Sequence, residues 1–151
     1  MKRVSPSPLF KRILAAVDGS AHGLRAARMA GRLARALDAR LTLLTVYDGP
    51  SGTLGDPRYS RTLERALDGA RRVVERARRA VLEAGGPEPD TDWLDGVPGK
   101  RIITAARDGG YDLIVVGTRG RGRMRAALLG SVSNTVAAQA RGPVLVVGDE
   151  R

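Results

Sequence analysis

Five short runs rich in β-branched residues or leucine, at Ile13–Val17, Leu41–Val46, Thr91–Leu94, Leu113–Val116 and Val144–Val147, alternate with longer stretches of helical periodicity. The first, fourth and fifth are apolar with little alternation, as expected of strands covered on both faces, and Thr91–Leu94 is the weakest of the five. Strand and helix in strict succession predict a doubly wound α/β fold: a parallel sheet, right-handed crossovers, and helices in a layer on each side.

The helical stretches carry their own punctuation. Ser20 is a candidate cap for a helix whose inward face is Leu24, Ala27, Ala30, Leu33, Ala34 and Leu37. From Tyr59 to Ala84, the set Leu63, Leu67, Ala70, Val74, Ala77, Val81 and Ala84 keeps 4-3 spacing. That spacing suits a coiled coil as well as a helix on a sheet; the alanine-heavy seam and the stop at Gly85-Gly86 favour the sheet. A third helix is predicted after Pro98, with Ile102, Ile103 and Ala106 inward and Gly109-Gly110 as its stop, and a last one over Ser131–Ala140.

At 151 residues the chain is expected to form one domain, 1–151, with residues 1–9 a flexible tail. A hydrophobic share of 42% and a charged share of 28% are those of a folded globular chain rather than a disordered one. The absence of cysteine excludes disulfides, thiolate metal sites and a cysteine nucleophile. Lys11 and Arg12 precede an apolar run too short for a signal-peptide core, and no stretch approaches the roughly 18 apolar residues of a membrane span, so the expected location is cytoplasmic. The formal net charge of +10 favours anionic ligands, although much of it is arginine spread along helical faces, as at Arg25, Arg28 and Arg32 or Arg72, Arg76 and Arg79.

In folds of this class, ligands bind beyond the carboxyl ends of the strands where strand order reverses. The first strand ends in Val17-Asp18-Gly19-Ser20, and the fourth runs into GTRGRGRMRAALLGSV, starting at Gly117. The latter is no P-loop, because Gly117 to Gly122 is followed by Arg123-Met124 in place of Lys-Ser/Thr. Nor is it a dinucleotide fingerprint, because Gly120-Arg121-Gly122 is followed by Arg123, Met124 and Arg125. Instead, two residues separate Gly117 from Gly120, and nine more separate Gly120 from Gly130-Ser131. The first pair offers a turn where a ligand can approach the backbone; the second offers a helix amino terminus, which favours an anion. Charge-assisted hydrogen bonds contribute about 1.5–3 kcal/mol each, so three or four with a buried base correspond to roughly micromolar binding.

With these residues in view, the chain resembles the ATP-binding branch of the universal stress proteins, whose G-x2-G-x9-G-S/T motif is matched by Gly117, Gly120, Gly130 and Ser131. FKRILAAVDGS, LTLLTVYD, YDLIVVGTRGRG and GPVLVVGD are similar, in order, to the family's first, second, fourth and last strands, so the resemblance spans Phe10 to Gly148. It implies a five-stranded parallel sheet in a three-layer α/β/α fold, with strand order 3-2-1-4-5. It also implies a stress-response regulatory module that binds ATP, with Mg2+ accompanying the phosphates, and a homodimer formed through Val144–Val147. For the site, it implies Asp18 at the ribose and adenine end, Val46 bordering the adenine, and Gly117 and Gly120 under the ribose and phosphates. Gly130, Ser131 and Val132 would hold the phosphates through backbone amides and a hydroxyl.

Several residues keep a second reading. Asp18 is either a ligand group or a helix cap. Arg119, Arg121, Arg123 and Arg125 neutralise phosphates, bind nucleic acid or face solvent. His22, the sole histidine, is expected at the surface just inside a helix start, Trp93 at the sheet edge, and Tyr47 at the end of the second strand near the adenine or packed there. Slow ATP hydrolysis stays open, but efficient catalysis is not expected, because Asp18 is the evident carboxylate near the site. The competing function is nucleic-acid binding by the basic RGRGRMR run; with aromatics at 3% of the chain and none inside the run, base-stacking platforms are missing.

Overall fold

Every strand lies parallel to its neighbours, and the sheet order is β3-β2-β1-β4-β5. The computed structural model describes residues 7–118 and 130–149. Along the chain these form β1 (Arg12–Ala16), α1 (Ala21–Leu37), β2 (Arg40–Tyr47), α2 (Pro57–Glu83), β3 (Asp90–Asp95), α3 (Pro98–Asp108), β4 (Leu113–Gly117), α4 (Ser131–Gln139) and β5 (Val144–Val147). β1 is central: Ala15 pairs with Leu43 of β2 on one side and Val115 of β4 on the other.

Because side chains alternate along a strand, each strand feeds two cores. Ile13, Ala15, Leu41, Leu43, Leu113 and Val115 pack with the buried alanines of α1 and with Val74, Ala77 and Val81 of α2. Leu14, Leu44, Ile114 and Val116 pack on the other face with Ile102 and Ala106 of α3 and Val136 of α4. Both faces are thus covered, which is why β1 and β4 read as continuous apolar runs. Buried Thr42 keeps its hydroxyl satisfied by accepting from the Tyr111 hydroxyl at 2.9 Å.

The helix boundaries follow their caps. Ser20 caps α1 by accepting the Gly23 amide at 3.1 Å. α2 starts at Pro57, two residues before the expected Tyr59, because Asp56 serves as its cap and Pro57 suits the first turn. Its end is a Schellman motif: Gly85 takes φ +85°, its amide donates to Leu82, and the Gly86 amide donates to Val81 at 2.9 Å. The 4-3 seam of α2 closes on the molecule's own sheet and α1, so the helix-on-sheet alternative holds and the coiled coil does not. α4 stops one residue before the expected Ala140. β3 is an edge strand with exposed polar positions, the reason its sequence signal is weak; its Trp93 packs against the core beneath α2 while the Arg71 guanidinium sits 5.6 Å from the ring centre.

Candidate functional site

β1 and β4 are neighbours in the sheet, yet the chain leaves them in opposite directions, toward β2 and toward β5. At their carboxyl ends lies a cavity of about 770 Å3. That volume falls in the range of roughly 300–1,000 Å3 usual for small-molecule sites.

Six of the sequence-derived positions, Asp18, Val46, Gly117, Gly130, Ser131 and Val132, line this one cavity. Gly120 and the arginines Arg119, Arg121, Arg123 and Arg125 lie outside the described residues. The strand ends supply the floor, the amino termini of α3 and α4 one wall, and the middle of α2 the opposite wall.

Asp18 is not itself the cap of α1. Its Oδ1 accepts from the Ser20 amide at 2.9 Å and from the Ser20 hydroxyl at 2.5 Å, which steadies the residue that does the capping. The carboxylate therefore stands on the cavity wall with its orientation set from the α1 side.

At Gly117 the local reason for glycine is packing. A β-carbon there would lie 2.7 Å from the carbonyl oxygen of His22 and 2.8 Å from its carbonyl carbon, so glycine lets the first turn of α1 press against the end of β4. The missing β-carbon, expected from the spacing to admit a ligand, instead makes room for the backbone of α1. Gly117 still contributes to the cavity surface.

Gly130 caps α4 with extended backbone, and its own amide donates to the Thr118 carbonyl. The buried Ser133 hydroxyl donates to the same Thr118 carbonyl at 3.1 Å and to the Gly130 carbonyl at 3.0 Å. Together these bonds tie the start of α4 to the exit of β4. The first-turn amides of Ser131, Val132 and Ser133 precede any intrahelical acceptor and carry the positive end of the helix dipole. They are the donors this terminus offers to an anion.

His22 departs from the surface position expected of it. Only 19% of its side chain is exposed. Nδ1 is 2.9 Å from Arg25 Nη2, 3.3 Å from Thr118 Oγ1 and 3.5 Å from Asp149 Oδ1. The chain after β5 brings Asp149 over the start of α1, where it also accepts from Arg25 at 2.6 Å; nothing local to the helix could announce this partner.

The site also contains residues that the sequence reading did not single out. Asp48, directly after β2, gives the cavity a second carboxylate beside Asp18; the repeat of Asp-Gly after strands one and two, AVDG and VYDG, was the available signal. Gly96, Val97 and Pro98 reach it from the start of α3, and Ala66, Gly69, Ala70 and Val73 from α2. Tyr47 lines it too. Among the described residues, no group of three or more His, Cys, Asp or Glu side chains is arranged to hold a metal ion, and no helix is long and apolar enough to cross a membrane.

Comparison with known proteins places this arrangement. The model of the universal stress protein family matches residues 9–148. The Thermus aquaticus "Universal stress protein in QAH/OAS sulfhydrylase 3'region" is 42% identical over 139 residues, covering 92% of this chain and 99% of its own length. Among solved structures, universal stress protein UspA from Lactobacillus plantarum superimposes with a TM-score of 0.79 at 27% identity, covering 91% of this chain and 97% of that one. A universal stress protein crystallised in complex with cAMP superimposes with a TM-score of 0.74 at 27% identity, covering 92% and 97%. With the strand order, the family match and these relatives in agreement, the chain belongs to the universal stress protein family.

Proposed function

We propose that the chain binds an adenine nucleotide, ATP in the first instance, in the cavity at the carboxyl ends of β1, β2 and β4, and that it acts as a nucleotide-dependent regulatory module in a stress response. The observation that carries the reading is the joining, in one cavity, of a largely apolar wall from α2 and β2 to the amino terminus of α4. The first suits a base, the second a phosphate. A relative at 27% identity with cAMP bound supports the ligand class.

In this reading Val46 borders the adenine and Asp18 takes the ribose end. The amides of Ser131 and Val132, with the Ser131 hydroxyl, hold a phosphate, while Gly117 and Gly130 shape the floor and the cap. Gly120 belongs to the same motif. Mg2+ enters on the phosphates, since among the described residues no carboxylate cluster is arranged to hold it by itself. The protein works as a homodimer through β5, whose four residues are all half-buried on the edge of the sheet.

Calorimetric titration with ATP, ADP, AMP and cAMP, with inorganic tripolyphosphate as a control for charge, tests the reading. Binding that requires the adenine and survives moderate salt is the expected result. Tripolyphosphate binding as well as ATP, or affinity that collapses with salt, would replace it with polyanion binding by the basic surface.

A further inference from the structure

Four glycines lie inside described helices, and three have an evident packing reason. A β-carbon at Gly23 would lie 2.9 Å from Asp18 Oδ1, at Gly31 2.8 Å from Val81 Cγ1, and at Gly99 2.8 Å from Thr135 Cγ2. Gly69 is different. It sits in the interior of the 27-residue α2, and a β-carbon there would meet no described atom within 4 Å.

Glycine is the poorest helix former after proline, so an unneeded one in mid-helix works against α2. The described residues supply no compensating contact. What the position does face is the cavity: Ala66, Gly69, Ala70 and Val73 fall at the spacing that puts residues on one helical face, and all four line it. α2 lies on the sheet face opposite α4. A nucleotide with its phosphates at the α4 amino terminus therefore presents its nucleoside end to this stripe.

We infer that Gly69 is a specificity-determining residue: its missing side chain is the room that the base of the nucleotide occupies. The inference rests on the nucleotide reading of the cavity and assigns α2 a part in it. A larger side chain at 69 takes ligand space without disturbing the protein's own packing. Stability and affinity then move independently, which a merely structural glycine would not allow.

The test is ATP titration by calorimetry, together with urea unfolding, of the parent, Gly69→Ala and Gly69→Leu. Both variants are expected to be at least as stable as the parent, with ATP affinity reduced modestly in Gly69→Ala and by about tenfold or more in Gly69→Leu. A Gly69→Leu variant that binds ATP like the parent overturns the inference and leaves the nucleotide site standing. One that unfolds more readily than the parent also overturns it, because the position would then be packed rather than open. A parent that binds no adenine nucleotide overturns the cavity reading itself, and the inference with it.

Discussion

Gly117 and His22 meet backbone to backbone: the hydrogen that stands in place of a side chain at Gly117 faces the His22 carbonyl, which a β-carbon would approach to 2.7 Å. Because the opposing atoms are main chain, they cannot rotate away. Gly117→Ala is therefore expected to destabilise the fold by about 1–3 kcal/mol, the usual range for overpacking a close contact. Chemical denaturation measures it, and a variant as stable as the parent would show that α1 and β4 have slack at this junction.

Asp18 steadies the cap of α1, and in the proposed nucleotide site it also takes the ribose; one substitution separates the two. Asp18→Asn keeps a side-chain oxygen for the Ser20 amide and hydroxyl, so stability should stay within about 0.5 kcal/mol of the parent. Affinity for ATP should fall by about tenfold if the carboxylate receives the ribose. Thermal melts and calorimetry on the same sample check both halves; unchanged affinity would confine Asp18 to steadying the helix cap.

β5 is the last strand of the sheet among the described residues, and its four aliphatic residues are all half-buried. Val146→Asp places a charge there and, on the proposed homodimer through β5, should shift the protein from dimer to monomer in sedimentation velocity. Val146 packs partly on the α3–α4 core, so a melt must accompany the measurement. A folded variant that sediments like the parent removes β5 from the interface.

How much of this was legible in the sequence depended on how local the signal was. Ile13–Val17 and Leu113–Val116 announced buried parallel strands because both their faces are covered, and Ser20 and Gly85 announced helix ends because caps are satisfied within a few residues. Asp18, Gly117 and Gly130 could be assembled into one site because strand ends of a parallel sheet converge on one edge. Gly117 pointed to the right place for a different reason, since its neighbour His22 is distant in sequence. The α2 wall stayed hidden: Ala66, Gly69 and Ala70 look like any small-residue helical seam, and only the tertiary fold shows that part of the seam faces a cavity instead of a partner. The same limit applied to His22, whose half-buried ring has Asp149, a residue beyond β5, among its partners.

Occupancy of the cavity between α2 and α4 by an adenine nucleotide is open to direct observation by amide-resolved NMR titration with ATP. A nucleotide bound there should produce shifts concentrated at Asp18, Val46, Gly69, Ser131 and Val132, saturating together. Shifts spread along the arginine-bearing faces of α1 and α2, with those five amides unmoved, would contradict it and assign ATP to the basic surface.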